Sequence, residues 1–196
     1  MNETLKTIYE RRAVRKYKST PVSRELIEQI LDAGRMAPSA INRQPWKFYI
    51  LSKEKDIQEF SKAISGVAAK VMLKKGLKTI IKTAKDGFHL AHGFDFFNRK
   101  DPVFHSAPVV IFITSAKDNE WAQLDIGMCA QNMMLAAKSL GLDTCPFGFG
   151  KFIEETKLYS KLNVPESEQV NLSIVFGYGD ETPELHPRIK NNIFYL

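Results

Sequence analysis

Three observations predict an α+β fold for this chain. Segments of helical spacing and segments of strand composition follow one another in mixed order, with no internal repeat, low-complexity tract or interdomain linker. Val109-Val110-Ile111-Phe112-Ile113-Thr114 is a β-rich run introduced by Pro108, and it reads as a central strand. The longest apolar helix, over about 120–140, sets Ile126, Ala130, Met133, Met134 and Ala137 at helical spacing. It is apolar over more than one stripe, as suits a helix buried on several sides or against a second subunit. With 196 residues, 44% of them apolar, the chain suits one domain over 1–196 with a core of its own.

From the N-terminus, a first helix covers about 4–10. Ser23 is a fitting N-cap for a second, through about Met36, whose Leu26, Ile27, Ile30 and Leu31 keep helical spacing; Gly34 and Pro38 supply its stop. Trp46-Lys47-Phe48-Tyr49-Ile50-Leu51 reads as a strand. A short helix over about 55–64 precedes a basic one. In the latter Lys70, Lys74, Lys75, Lys78, Lys82 and Lys85 fall on one side, and Ala69, Met72, Leu73, Leu77, Ile80 and Ala84 on the other. An aromatic segment over 88–104 leads to the central strand. After the long helix, stopped by Gly141, a helix near 153–162 and a strand over 170–176 precede the turn Gly177-Tyr178-Gly179-Asp180. The tail, 181–196, ends in Ile193-Phe194-Tyr195-Leu196, too apolar to stand free in water.

Charge and cysteine usage exclude several classes. The net charge is +6, and the six lysines of the basic helix, with no acid between them, account for all of it. Their face is a solvated surface or a rim that attracts a phosphorylated cosubstrate; without interleaved exposed aromatics it is not a nucleic-acid stripe. Cys129 and Cys145 make neither a disulfide framework nor a metal-ligand set, which points to a reducing, cytoplasmic setting. Met1-Asn2-Glu3-Thr4 shows no signal pattern, and no apolar run approaches the roughly 18 residues of a membrane span, so no membrane role is expected.

Chemistry concentrates in two motifs. Arg11-Arg12-Ala13-Val14-Arg15 groups three guanidiniums, whose planar forks match phosphate oxygens and whose charges repel unless an anion sits between them; the plain alternative is a solvated cluster paired with Glu10 and other acids. In Pro38-Ser39-Ala40-Ile41-Asn42-Arg43-Gln44-Pro45-Trp46, two prolines stiffen a loop from which Ser39, Asn42 and Gln44 offer hydrogen bonds. With His186-Pro187-Arg188 near the C-terminus, these describe a site for a phosphorylated, planar ligand.

On these motifs, and over nearly its whole length, the chain resembles the nitroreductase family of FMN-dependent NAD(P)H oxidoreductases. The resemblance implies a central mixed sheet wrapped by helices and a homodimer sharing two FMN sites at its interface. It implies FMN phosphate and pyrimidine contacts from Arg11, Arg12, Ala13 and Arg15, and a second phosphate-binding arginine in Arg188, beside His186. Pro38, Ser39, Ala40, Asn42 and Gln44, followed by Pro45 and Trp46, match the family loop that reaches FMN across the interface. Pro146, Phe147 and Gly148, after Cys145, resemble the segment whose backbone amide faces flavin N5, and 125–142 the dimer-forming helix. The family usually has Ser where Ala13 stands and a basic residue where His186 stands, and 66–105 matches none of its patterns.

The implied reaction passes a hydride from NADH or NADPH through flavin N5 to small electron-poor acceptors such as nitroaromatics or quinones, in ping-pong fashion. Arg15 is the candidate catalytic residue, stabilising negative charge near flavin N1 and O2 by a preorganised field. No G-x-G-x-x-G fingerprint follows a strand, so a Rossmann cofactor domain is not expected. Phe88, Phe94, Phe96, Phe97, Phe104 and Trp121 serve either the core or an acceptor pocket. His89, His92 and Asp95 have metal-like spacing but no second ligand cluster, so no metal is expected. The competing readings are a non-catalytic FMN-binding protein, a flavin-cleaving or other specialised member of the fold family, and a basic-helix nucleic-acid module without flavin. A deiodinase-like lid is set aside, because no Glu or Tyr occurs between Phe60 and Asn119.

Overall fold

The computed structural model describes residues 1–85 and 101–196, with side chains at 1–71 and 101–196. Helix α1 (Glu3–Glu10) is capped by the Asn2 side chain, which accepts the Leu5 N–H at 2.9 Å. Helix α2 (Arg24–Arg35) is capped as expected by Ser23, whose Oγ accepts the Leu26 N–H at 3.4 Å. Strand β1 (Lys47–Leu51) and helix α3 (Glu54–Lys85) follow. Then come β2 (Val109–Ala116), α4 (Ala122–Ser139), β3 (Asp143–Phe147) and β4 (Glu168–Gly177). Gly141 ends α4 at φ +79°. Leu142 N–H donates to Ala137 O at 2.8 Å and Gly141 N–H to Lys138 O at 3.1 Å, the paired bonds of a Schellman stop.

The four strands lie in the order β1-β2-β4-β3, and each ladder is antiparallel. The expected mixed character is confined to one parallel bridge, Ala13 to Thr144, on the outer edge of β3. β2 is central, as its composition predicts, and both its faces are buried. Val109, Ile111 and Ile113 meet α2 and α4 with Ile30, Leu31, Met133 and Ala137; on the other side Val110 and Phe112 meet Phe60 and Ile64 of α3, Phe104, and Ile153 of the 3₁₀ segment Gly148–Glu155. A strand covered on both faces needs apolar residues at consecutive positions, which explains the uninterrupted run.

Three expectations need correction. The helix of 55–64 and the basic helix are one 32-residue helix, α3, and of the six lysines only the exposed Lys70 has a described side chain. The helix near 153–162 is two 3₁₀ segments, Gly148–Glu155 and Tyr159–Leu162. Gly34 is a close-approach point and not a stop: a Cβ there would fall 2.7 Å from Met133 Cγ, so its absence lets α2 lie on α4. The apolar end of the tail, Ile193 to Leu196, is exposed on this chain.

Candidate functional site

The Arg cluster is set by how the chain leaves α1. Arg11 N–H closes the helix on Thr7 O at 3.0 Å, and the next residues run beside β3, with Val14 N–H donating to Thr144 O at 3.0 Å. Val14 and Tyr17 are buried, and the Tyr17 hydroxyl donates to Val14 O at 2.7 Å. The segment after β4 then runs along this stretch. Lys18 N–H donates to Tyr178 O, Asp180 N–H to Lys16 O, and the Lys16 and Asp180 side chains pair at 2.8 Å. Arg15 N–H donates to the Glu181 carboxylate.

Arg188, from the far end of the chain, comes within electrostatic reach of Arg11. Burial first, then the charges of Arg12 and Arg188, hold the Arg11 pKa below its ordinary value. Arg12 donates to the carbonyls of Tyr9 and Arg11, Arg15 to Ala13 O at 3.4 Å and Arg188 to His186 O at 2.7 Å. None of the ion pairs among the described residues involves these four arginines. The pairing with Glu10 that the plain alternative requires is not present among the described residues, and there these guanidiniums have no ion-paired acid.

Ala13 lies against Thr144, and Cys145 is buried behind the cluster. Burial pushes the Cys145 thiol up to about 11 against the pull of Arg15 and Arg11, so it stays protonated near neutral pH. Pro146 and Gly148 are exposed, and Phe147 is half-buried with its ring 5.0 Å from that of His105. Phe147 O accepts the Ser173 hydroxyl at 3.0 Å, which fixes the end of β3 against β4.

The proline-flanked loop is a strained turn. Residues Ala40–Asn42 form one 3₁₀ turn, and Ile41, Asn42 and Gln44 have φ of 46°, 57° and 48°. Such left-handed conformations cost roughly 1–3 kcal/mol each outside glycine, and a β-branched residue resists them most. Ser39 Oγ accepts Gln44 N–H at 2.9 Å and Asn42 Oδ1 accepts Gln44 Nε2 at 3.1 Å, closing the turn on itself. Ala40 N–H reaches Asp125 Oδ1, in the first turn of α4, at 3.1 Å. The Arg cluster instead adjoins β3, which follows the other end of α4. By helical rise the span from Asp125 to Ser139 is about 20 Å. Among the described residues no hydrogen bond or ion pair joins loop and cluster within the chain.

Of the aromatic candidates, Phe104 is core and Trp121 is 49% exposed at the head of α4; Phe88, Phe94, Phe96 and Phe97, with His89, His92 and Asp95, lie outside the described residues. Among the described residues no group of His, Cys, Asp or Glu is spaced to hold a metal, and no helix is long and apolar enough to cross a membrane. Sequence reasoning missed Asp125 and Glu181. Asp125 carried a signal, as the lone charge in the apolar stretch from Ala122 to Ala137.

Comparison with known proteins fits this geometry. The chain is 32% identical to a 4-nitrobenzoate reductase of Pseudomonas putida, over 87% of this chain and 83% of that protein. It is 29% identical to an Archaeoglobus fulgidus protein provisionally named NADH dehydrogenase/NAD(P)H nitroreductase, over 95% of this chain and 91% of the other. A crystal structure of a nitroreductase with bound FMN from Desulfitobacterium hafniense superposes with a TM-score of 0.79 at 26% identity, covering 100% of this chain and 99% of that one. Residues 8–178 match the Nitroreductase family, and with the relatives above this establishes that the chain belongs to that family.

Proposed function

We propose that this chain is an FMN-dependent reductase that takes reducing equivalents from NADH or NADPH, in ping-pong fashion, and delivers them to small electron-poor acceptors, nitroaromatics or quinones, as a homodimer. The observation that carries the reading is that the charges of Arg12 and Arg188 both act on Arg11, while no ion pair to a carboxylate involves these arginines among the described residues. Adjacent, uncompensated guanidiniums are unfavourable alone and suit a phosphate ester. The donor set therefore fits FMN, which the Desulfitobacterium relative holds, and the acceptor class accords with the name of the Pseudomonas relative.

FMN, when bound, supplies the hydride chemistry itself. The chain supplies binding and field. Arg11, Arg12 and Arg188, with Ala13 and His186 beside them, would hold the phosphate end. Pro38, Ser39, Ala40, Asn42 and Gln44 would contribute from the second subunit, and Pro146, Phe147 and Gly148 would present a backbone donor to the ring. Arg15, charged at any working pH, would stabilise negative charge on the pyrimidine edge as a fixed field and not as a proton donor.

The distance between loop and Arg cluster along α4 supports a dimer in which each site takes its loop from one subunit and its arginines from the other. Leu124, Gly127, Met128 and Gln131 of α4 form a shallow outward groove with Pro38, and α1, which packs on α4, leaves Leu5, Ile8 and Tyr9 uncovered. Two buried free cysteines suit a reducing, cytoplasmic setting. The test is the visible spectrum of the purified protein with FMN, followed by anaerobic addition of NADH and then NADPH. Bleaching of a protein-bound flavin band is expected. Bound flavin that neither donor bleaches would favour a non-catalytic FMN-binding protein, and no bound flavin would overturn the reading.

A further inference from the structure

Asp125 is 1% exposed, yet only one of its oxygens is used. Oδ1 accepts the Ala40 N–H at 3.1 Å, from 85 positions earlier, while Oδ2 is buried without a hydrogen-bond partner. Burying a carboxylate for one hydrogen bond is unfavourable. Its place in the first turn of α4 eases the charge, but that does not explain why the bond runs to the loop.

The loop has a reason to be held. Ile41, Asn42 and Gln44 keep left-handed conformations although all three are exposed, Ile41 by 84%. The Ser39–Gln44 and Asn42–Gln44 bonds shape the turn without fixing where it sits. Among the described residues the Ala40–Asp125 bond is the only hydrogen bond from 39–44 to another element.

We propose that Asp125 is the positioning residue of this turn. Its carboxylate holds Ala40 against the head of α4, keeps the next residues in their strained conformations, and thereby sets the affinity of the flavin site. Only the last step rests on the FMN reading above.

Arg43, exposed inside the turn, allows a test on the apo-protein: trypsin must unfold the turn locally to cut there, and exposed Lys157, on the opposite side of the sheet, serves as the reference. Asp125→Ala is expected to speed cleavage at Arg43 relative to Lys157 by about tenfold or more, the loss of one charge-assisted bond, with Asp125→Asn in between because it keeps one acceptor. The FMN dissociation constant, from fluorescence quenching, should rise in the same order.

Unchanged relative cleavage, or parallel acceleration at both residues, would overturn the positioning role. Faster cleavage at Arg43 with unchanged FMN affinity would overturn its link to the site. Should Asp125→Ala fail to fold, Asp125→Asn decides on the same two readouts. If the unsubstituted protein takes up no FMN, the flavin reading falls, and the cleavage ratio alone still judges the positioning role.

Discussion

Gly150 lies where the 3₁₀ segment Gly148–Glu155 passes under β4, and a methyl group there has no room. An ideal Cβ falls 2.2 Å from Ser173 Oγ, 2.6 Å from Ser173 Cβ and 3.3 Å from Ser173 N, against about 3.5–4.0 Å for a relaxed carbon contact. Ser173 is fully buried, and its hydroxyl donates to Phe147 O. Gly150→Ala must therefore displace the segment by about 1 Å, since turning the hydroxyl away would leave the Ser173 Cβ contact, and the displacement draws Phe147 O from its hydroxyl donor. Overpacking costs roughly 1–3 kcal/mol, and leaving the hydroxyl and carbonyl unpaired adds roughly 1–3 kcal/mol. The smaller entropy of the unfolded alanine chain returns about 0.4–1 kcal/mol. The net loss of about 2–5 kcal/mol, at about 2–4 °C per kcal/mol for a chain of this size, lowers Tm by about 4–20 °C.

Thermal unfolding followed by circular dichroism measures this, and a mutant cycle isolates its cause. Ser173→Gly removes both offending atoms, so in that background Gly150→Ala should cost less than about 1 kcal/mol. Ser173→Ala keeps the Cβ and should give little relief. The packing argument fails if Gly150→Ala loses less than about 1 kcal/mol in the native background, or loses as much beside Ser173→Gly.

The remaining predictions concern charge. Arg188→Ala should weaken FMN binding by about 10–100-fold, the loss of a charge-assisted contact, without lowering apo-protein stability, because Arg188 adds to the pressure on Arg11; a change below about threefold, read by flavin titration, would count against the phosphate role. Arg15→Ala should slow anaerobic flavin reduction by about tenfold or more while FMN affinity changes less, and an unaltered reduction rate would remove the electrostatic role. Glu168 is pushed up by burial, but the Lys47 and Thr114 hydrogen bonds outweigh this and leave its pKa below the ordinary 4.5. Its contribution is present above about pH 4.5 and lost as pH falls through the lowered folded value. Urea midpoints of Glu168→Gln should thus differ from the parent at pH 7 and converge as the pH falls below the folded value; a gap that does not narrow with falling pH would refute the linkage.

What the sequence by itself determined is local. The Ser23 cap and the Gly141 stop act over one helical turn, the run over 109–114 marks a central strand, and Arg11, Arg12 and Arg15 are grouped within five residues. The limits of local reading appear in α3. Gly66 does not interrupt that helix, since a helical glycine costs about 1 kcal/mol relative to alanine, too little to break a helix supported by Ile57, Phe60 and Ile64 in the core. Only the tertiary structure decided that the charge of Arg188 acts on Arg11, that Gly34 is a crossing point, that a turn with three left-handed residues is tied to buried Asp125, and that loop and Arg cluster lie at opposite ends of α4. Propensities and caps act over a few residues, whereas the repulsion between distant arginines and the burial of a carboxylate depend on which elements the sheet brings together, and that information is spread over the whole chain.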